Sequence, residues 1–394
     1  MRSPRGAPGF IPGFAAGAVA AAAITVLVVA LTGGFGGGGG LPAQARALIE
    51  DDYFKPVKAS ALDNASVNGM VKEINKRYGD RFSEYLNPHQ LRLFEHALSG
   101  RFSGVGLTVT SAKRGLRVET AIPGAPAQRA GIKAGDLITG VDGRSIAGVP
   151  EQVAVARIKG PPGTPVTLRV LHGPRGQVRT VHLKRASVEL PVATGQIRHA
   201  GRMKVAYVRY ATFSAGAHGE LQSTLERLDR RGARGLVLDL RHNGGGLLNE
   251  GVLSASLFLR KGQRVVSTKS RTFGAQDYDA VGGRLEPKPT VVLIDHGTAS
   301  AAEILASALR EHHLATIVGT RSFGKGTFQQ DLPLDSGGVL KLTVGEYFTA
   351  NGTSVLGKGI VPDVVARDDP HTKPDEALRK ALAVLREKAA AGAG

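Results

Sequence analysis

Ser300 is the leading candidate in this chain for a residue that takes part in a reaction. It lies in the segment DHGTASAAEILASALREHH (residues 295–313), where an apolar helical pattern follows the pattern of a buried strand. Serine is favoured at helix N-termini, so Ser300 can be an ordinary cap. It can also be a nucleophile whose hydroxyl shares one polar spot with the amide of Ala301. The second interpretation requires a base that takes the hydroxyl proton.

Lys325 is the candidate for that base. Its segment GTRSFGKGTFQQDLPL (residues 319–334) nearly spells a phosphate-binding loop, but Gly326 stands where a metal-binding Ser or Thr is needed, and a strand pattern follows. The nucleotide interpretation therefore fails. A lysine base must be neutral, which requires an apolar site that lowers its pKa from about 10.4 to roughly 7–8. Phe323 and Phe328 are suitable walls for such a site; the alternative is an ordinary surface lysine.

Three consecutive glycines form a further candidate element in GLVLDLRHNGGGLL (residues 235–248), a strand–turn–helix pattern. Glycines let backbone N–H groups point outward at a helix N-terminus, where an anion is favoured. The alternative is a tight turn that needs positive φ. A single tight turn does not need three consecutive glycines, so the run Gly244, Gly245 and Gly246 favours the anion site.

Histidine and metal chemistry find less support. His242 lies beside the glycine turn, and His296 lies four residues before Ser300. Neither histidine has a carboxylate partner that the sequence identifies. The Glu-His-His run at residues 311–313 lacks the spacing of a zinc motif and is typical of a helix end. The chain contains no cysteine, so thiolate nucleophiles and cysteine zinc sites are impossible. We expect no metal and no cofactor.

The segment SGRFSGVGLTV (residues 99–109) resembles the carboxylate-binding loop of PDZ domains, and PAQRAGIKAGDLITGVDGRSI (residues 126–146) resembles their middle. Successive amides of such a loop can cradle a terminal carboxylate, and the strand that follows can accept a peptide by β-augmentation. The residues expected to bind substrate in this way are Gly104, Val105, Gly106 and Leu107.

The elements that must position these residues define an α/β multi-domain chain. Apolar strand patterns alternate with helical patterns after residue 186, which predicts a mostly parallel, helix-covered sheet. Before it, short strand patterns with one helix predict a small β-rich module, preceded by helices; the resemblance of its motifs to PDZ domains implies that this module is a PDZ domain. The predicted domains are an N-terminal helical region (42–100), a PDZ domain (101–185), a core that carries Ser300 and Lys325 (186–370), and a C-terminal helix and tail (371–394).

The N-terminus predicts export. Residues 14–32 form an apolar run behind Arg2 and Arg5, which predicts a single-pass membrane anchor after a cytoplasmic segment (1–13) and before a glycine linker (33–41). The alternative is a cleaved signal that leaves a secreted protein. The rest of the chain is expected to be extracytoplasmic in either case.

The formal net charge of +18 is spread along the chain and interleaved with acids. No basic run with interleaved aromatic residues is present, so we expect no nucleic-acid partner.

Taken in order, these motifs resemble a carboxy-terminal processing peptidase, or tail-specific protease, of the exported PDZ-containing kind. The resemblance runs from about residue 42 to residue 365. The motifs that carry it are DRFSEYLNP (80–88), DLRHNGGGLL (239–248), TASAAEI (298–304), FGKGTFQ (323–329) and YFTANGTSVLGKGIVPD (347–363).

The resemblance implies a role for each site residue. Ser300 would be the nucleophile and Lys325, 25 positions later, the general base. Gln329 would orient the lysine, and Glu303 would support the serine helix. The oxyanion hole would consist of the amide of Ala301 and that of a glycine in the turn, which is Gly245 or Gly246.

The function implied is a serine endopeptidase that cleaves exported proteins near free, flexible C-terminal tails held by the PDZ domain. A homo-oligomer is possible for such a protein. The alternative is a non-catalytic, membrane-anchored PDZ scaffold, which would explain the anchor and the PDZ module but not the serine, lysine and glycine set. A nucleotide-dependent enzyme rests only on the failed phosphate loop.

Overall fold

The computed structural model describes residues 40–391, apart from 99–100, 173–175, 190, 284 and 369–374. The predicted cytoplasmic segment (1–13) and membrane segment (14–32) lie outside the described residues, as does nearly all of the glycine linker. Within the described part of the chain, no helix is both long and apolar enough to span a membrane. The chain divides into two compact units, Met1–Tyr85 and Leu86–Gly394.

The described part of the first unit, from residue 40 onward, contains the helices α1 (Leu41–Asp52) and α2 (Ala59–Tyr78). The side chain of Tyr85 donates a hydrogen bond to Asn64 on α2 at 2.7 Å, which ties the end of this unit to its longer helix. A short strand, β1 (Glu84–Leu86), lies at the boundary of the two units. The sequence predicted the helices of this region but not this strand, because three residues are too few to show a period.

The second unit begins with α3 (Pro88–Leu98) and continues with the PDZ-like module. The helices of the module are α4 (Pro126–Arg129) and α5 (Glu151–Ile158). Its strands are β2 (Arg101–Gly104), β3 (Leu107–Ala112), β4 (Gly115–Ala121), β5 (Leu137–Val141), β6 (Arg144–Ser145), β7 (Pro165–Leu171), β8 (Val178–Lys184) and β9 (Ala186–Glu189). The expectation of a single helix here was wrong: α4 is one turn that begins at a proline, too short for apolar periodicity to reveal.

Strand β3 forms one edge of the PDZ sheet, whose order is β3-β4-β5-β7-β8, with β6 paired to β5. Strands β2 and β9 pair with each other as an antiparallel ribbon where the chain enters and leaves the module. Helix α5 covers the module's own apolar core, in which Ile138, Leu168 and Val170 are fully buried. The outer edge of β3 therefore remains available for another strand.

The core of the second unit carries the remaining elements. Its helices are α6 (Ala217–Asp229), α7 (Leu248–Ser256), α8 (Ala301–Glu311) and α9 (Glu376–Ala391). Its strands are β10 (Ala193–Ala200), β11 (Met203–Tyr210), β12 (Gly235–Asp239), β13 (Arg264–Ser270), β14 (Gly274–Asp279), β15 (Thr290–Ile294), β16 (Ala315–Gly319), β17 (Thr327–Pro333), β18 (Val339–Thr349) and β19 (Val364–Val365).

The main sheet has the order β10-β11-β12-β15-β16-β19. Among the described strand pairs of this sheet, only β10–β11 is antiparallel, so the predicted mostly parallel sheet is confirmed. Alternate side chains of β12 show why both faces are covered: Leu236 and Leu238 pack with α6, α7 and α8, whereas Val237 packs with α9. Because both faces of the sheet are buried, its strands are continuous apolar runs in the sequence.

A second, antiparallel sheet contains β17, β18, β13 and β14, each paired to the next. Strands β17 and β18 form an antiparallel hairpin, with its turn after residue 333.

The parallel order of the main sheet brings three candidate segments together. Strands β12, β15 and β16 are parallel neighbours, so the glycine turn, the serine turn and the lysine segment all follow the same edge of the sheet. Ligands of open α/β sheets bind at such carboxyl ends.

Candidate active site

Ser300 lies in a strained backbone position between β15 and α8. Its φ is 57° and its ψ is −123°, a combination that non-glycine residues rarely adopt and that clusters at functional sites. The turn before it is held by Asp295, whose carboxylate accepts the N–H of Gly297 at 2.9 Å. The first N–H groups of α8 begin directly after the serine, at Ala301. The chain therefore presents Ser300 at the start of a helix in a conformation that a simple cap does not need.

The glycine turn packs directly against Ser300. Gly245 has a φ of 92°, and a Cβ atom placed on it would lie 2.8 Å from Ser300 Cβ and 3.0 Å from the backbone nitrogen of Ala301. Asn243 holds the turn, since its side chain accepts the N–H of Gly245 at 2.9 Å. A Cβ on Gly246 would instead overlap the backbone of Phe213. Only glycine fits these two positions, and their close packing brings the turn to the serine.

Lys325 lies between two glycines whose positions have no room for a side chain. A Cβ on Gly324 would lie 2.8 Å from the nitrogen of Gly359, and one on Gly326 would lie 2.5 Å from the nitrogen of Leu356. Lys325 itself is half-buried. Phe323, predicted as an apolar wall for this lysine, is 50% exposed and so is at most a partial screen from water.

Glu303 connects the serine to the lysine segment. This residue is fully buried in the first turn of α8. Its Oε2 accepts the backbone N–H of Ser300 at 2.9 Å and that of Lys325 at 3.0 Å. The two backbone nitrogens are therefore at most about 6 Å apart, because both are bonded to one oxygen at ordinary hydrogen-bond length.

The same carboxylate binds three further donors. Its Oε1 accepts the hydroxyl of Ser322 at 2.5 Å and the N–H of Gly324 at 2.8 Å, and its Oε2 accepts the hydroxyl of Tyr347 at 3.3 Å. Burial, and then the neighbouring Glu303, raises the pKa of Tyr347 well above its usual range, so the phenol keeps its proton and remains a donor. The sequence predicted Glu303 only as a support of the serine helix; its contacts extend to the lysine segment and to β18.

Gln329 lies on β17, four residues beyond Lys325. Its amide nitrogen donates to Thr343 on β18 at 3.1 Å and more weakly to Thr327 at 3.4 Å. The side chain is thus anchored to the second sheet. The predicted role of Gln329 in orienting Lys325 stays a prediction.

His242 has a carboxylate partner that the sequence did not identify. Its Nδ1 lies 2.9 Å from Asp295 Oδ2, and its backbone N–H donates to Asp295 Oδ1 at 2.9 Å. The imidazole is 68% exposed, so the pair lies at the surface of the site. Since 53 residues separate the two partners, spacing in the sequence could not reveal them. Together with the contact between Ala299 N–H and the carbonyl of Asn243 at 3.0 Å, the pair joins the glycine turn to the serine turn.

A second such pair braces α7, the helix that follows the glycine turn. Glu250 accepts the backbone N–H of Gly216 at 2.7 Å and that of His218 at 2.9 Å, and it lies 2.8 Å from Nδ1 of His218. Burial would raise the pKa of Glu250, but these hydrogen bonds outweigh burial and lower it. The carboxylate is therefore charged at neutral pH and fixes the segment that precedes α6.

Arg241, at the start of the glycine turn, is held by three carboxylates. It contacts Asp239 at 2.6 Å, Asp368 at 2.6 Å and Asp375 at 2.8 Å. Asp375 also accepts the N–H of Leu378 at 2.7 Å in the first turn of α9. Burial lowers the pKa of Arg241, but its bonds to Asp239 and Asp375 raise the pKa overall. The C-terminal helix is thereby tied to the turn that faces Ser300, a link across 134 residues that no local pattern predicts.

The PDZ module carries a separate candidate site at the start of β3. The carbonyl of Val105 accepts the N–H of Ala127, and that of Gly106 accepts the N–H of Ile122. Because C=O and N–H of a trans peptide point in opposite directions, the N–H groups of Gly106 and Leu107 point away from these partners. Gly106 has a φ of 78°, and a Cβ on it would overlap Ala125. These two amides therefore face the open edge of β3, as a carboxylate-binding loop requires.

The fold and the comparisons with known proteins define a class of protein, a PDZ-containing serine-type peptidase. The family model of peptidase family S41 matches residues 204–366, and that of the PDZ domain matches residues 93–171. The chain is 32% identical over 330 residues to the carboxy-terminal processing protease CtpA of Bacillus subtilis, which covers 84% of this chain and 69% of that protein. It is 36% identical over 316 residues to a carboxy-terminal-processing protease of Bartonella bacilliformis. That match covers 79% of this chain and 70% of the Bartonella protein.

Solved structures agree. The photosystem II D1 C-terminal processing protease is 30% identical, with a TM-score of 0.51 over 88% of this chain and 92% of that one. An S41 protease from Bacteroides fragilis shares the fold at 18% identity. Its TM-score is 0.54, and the match covers 89% of this chain and 97% of that one. The chain belongs to the carboxy-terminal processing proteases of peptidase family S41, and its activity is that of a serine-type peptidase.

Proposed function

We propose that this chain is a serine endopeptidase in which Ser300 is the nucleophile and Lys325 the general base. The observation that carries the proposal is the shared hydrogen bonding of Glu303, whose Oε2 accepts the backbone N–H groups of both residues. A nucleophile and its base must approach within hydrogen-bond reach, and the long lysine side chain can span the remaining distance. No histidine takes part in the proposed dyad.

In the acylation step, Lys325 Nζ takes the proton of Ser300 Oγ as that oxygen attacks the scissile carbonyl carbon. The tetrahedral intermediate carries a negative charge on the former carbonyl oxygen. When it collapses, the peptide C–N bond breaks and the leaving amine takes the proton from Lys325. In the second half, Lys325 takes a proton from water as that water attacks the acyl carbon. The ester C–O bond then breaks, Lys325 returns the proton to Ser300 Oγ, and the new C-terminal acid leaves and ionises to a carboxylate. Gln329 is proposed to orient the lysine through both halves.

The oxyanion is proposed to bind the amide of Ala301 and that of Gly246. The amide of Gly245 already donates to Asn243, which makes it the weaker candidate of the two glycines. The carbonyl of Gly245 accepts the N–H of Phe213 at 3.1 Å, so the Gly246 N–H of the same peptide points away from Phe213. Two such donors can supply a few kcal/mol of transition-state stabilisation each.

Replacing Gly245 by alanine should lower kcat by about 100-fold or more, because its Cβ would displace Ser300 or Ala301 from the geometry that the oxyanion needs. Gly244→Ala is the matched control: a Cβ there meets no atom within 4 Å, and we expect near-normal activity. Initial rates on a tailed protein substrate would measure both. Equal activity of the two variants would contradict the proposed role of the glycine turn in positioning the nucleophile and the oxyanion donors.

The PDZ domain is proposed to hold the free C-terminus of the substrate at Gly104, Val105, Gly106 and Leu107. The two outward amides of this loop suit a carboxylate, and the open edge of β3 suits the chain that precedes it. Holding the tail would raise the local concentration of the scissile bond at Ser300.

Amidation of the substrate's C-terminus should therefore lower kcat/KM by at least about 10-fold, because it removes the charge that the loop receives. The comparison needs two otherwise identical substrates, with a change of one residue far upstream of the tail as the control. Equal cleavage of the acid and the amide would overturn tail recognition and leave the Ser–Lys chemistry standing.

The site is proposed to act outside the cytoplasm, with residues 14–32 as a single-pass anchor and a cleaved signal as the alternative. Support comes from the apolar run behind Arg2 and Arg5. Cell fractionation should find the full-length protein in the membrane fraction after alkaline washing. A soluble mature protein that begins near Arg46 would favour the cleaved signal.

A further inference from the structure

The groove beside β3 carries charge at both ends. It has a volume of about 310 Å³ and runs between β3 and α5. Its walls are mainly apolar, with Val105, Ile122 and Ile158 nearly fully buried. Among the described residues that line it, two are charged: Glu151, the first residue of α5, and Lys159, directly after its last. The groove therefore has a negative charge at one end of helix α5 and a positive charge at the other.

The direction of a bound tail follows from the amides of Gly106 and Leu107. They lie where β3 begins, so a peptide with its carboxylate on them must run antiparallel to β3 as it leaves the loop. The hydroxyl of Ser103, just before the loop, donates to the carbonyl of Gly160. The Lys159 end of α5 therefore lies beside the carboxylate, and the Glu151 end lies beside residues further upstream. This places positive charge near the negative end of the peptide and negative charge near its body.

The spacing identifies which peptide residue meets Glu151. Glu151 precedes Ile158 by seven residues, about 10 Å along the helix axis. Alternate side chains of an extended peptide face the same side, at intervals of about 6.8 Å. If the last side chain enters the apolar pocket at Ile158, the third residue from the end also faces α5. The long side chain of a lysine or arginine covers the remaining few ångströms to the Glu151 carboxylate.

We propose that Glu151 selects substrates whose third residue from the C-terminus is lysine or arginine, behind an apolar terminal residue. The inference rests on the proposed capture of tails by the PDZ domain and adds the chemical class of the tail. Glu151 is exposed, so its pairing with a cation is screened by water and gives selectivity of modest size. We expect about a five- to ten-fold difference in Kd between peptides with lysine and with glutamate at this position.

The test is peptide binding to the full chain carrying Ser300→Ala, so that no peptide is cleaved. Three fluorescent peptides with one apolar C-terminal residue would carry lysine, glutamine or glutamate at the third position from the end, and Kd would be measured by anisotropy. The expected order of affinity is lysine, glutamine, glutamate. Glu151→Gln should remove most of the difference, and Glu151→Lys should reverse the order.

Two controls separate the possible failures. Glu119→Lys changes the same charge on β4, outside the groove lining, and should leave the order intact; a reversal there would show a long-range field instead of a contact. An amidated copy of the lysine peptide tests tail capture itself. If the acid binds and the amide does not, while lysine and glutamate peptides bind equally, the selectivity claim is overturned and the proposed function stands. If acid and amide bind equally, the proposed function fails with it.

Discussion

Ser300→Ala and Lys325→Ala are each expected to lower kcat for a tailed protein substrate by about 10⁴-fold or more, with no change in fold. The nucleophile and its base act in one step, so removing either abolishes that step. Removing both should cost no more than removing one, because members of a catalytic unit are not additive. Initial-rate kinetics with circular dichroism as a folding check would measure this.

The chain offers a matched control for the lysine. Lys358 also lies between two glycines, in the Gly357-Lys358-Gly359 turn that packs against Gly324, and its side chain is exposed. Lys358→Ala should therefore keep near-normal activity. Lys325→Arg should be as inactive as Lys325→Ala, because a guanidinium keeps the positive charge but cannot accept a proton. That variant separates a base from a merely electrostatic lysine.

Two outcomes would contradict the dyad. If Lys325→Ala keeps most of the activity, another group takes the proton of Ser300, and His242 with its Asp295 partner would be the first to examine. If the unmodified chain binds tails but never cleaves them, the alternative of a PDZ scaffold would gain support despite the family to which the chain belongs.

The sequence predicted the parts of this protein that local patterns encode. Continuous apolar runs predicted the parallel strands, and short strand patterns predicted the β-rich module that precedes them. The parallel order then brings the ends of β12, β15 and β16 to one edge, so the serine, glycine and lysine segments could be expected near one another.

Contacts between distant segments could not be predicted in this way. The pair of Arg241 and Asp375 spans 134 residues. Strand β13 joins its sheet by pairing with the distant strand β18, and β14 joins it by pairing with β13. Glu303 illustrates the same limit within one site. Its position in α8 was visible in the sequence, but its bonds to Ser322, Gly324 and Tyr347 depend on how two later segments fold over the helix.

Glu303→Gln should cost about 2–4 kcal/mol of stability and lower kcat by at least about 100-fold. Five donors converge on this buried carboxylate: the amides of Ser300, Gly324 and Lys325, and the hydroxyls of Ser322 and Tyr347. The amide group of glutamine has one acceptor and one donor end. At least one of these donors would then face another donor in the buried interior, where an unmade hydrogen bond is most costly.

The matched control is Glu311→Gln at the end of the same helix. That carboxylate accepts the N–H of Asn351 at 2.8 Å in a partly exposed place, so its loss should change stability by less than about 0.5 kcal/mol. Tyr347→Phe provides a graded step, since it removes one long hydrogen bond of the Glu303 carboxylate and should cost about 1 kcal/mol. Urea unfolding would rank the three variants.

A purely structural role for Glu303 and a positioning role differ in the kinetics of molecules that remain folded. Glu303 bonds the backbone of both members of the proposed dyad, so Glu303→Gln at low temperature should lose kcat while its Kd for a free-acid tail peptide on the PDZ domain stays normal. Activity that recovers fully once the folded fraction is taken into account would show that the carboxylate only stabilises the core. A loss of kcat in fully folded protein would show that it sets the distance between nucleophile and base.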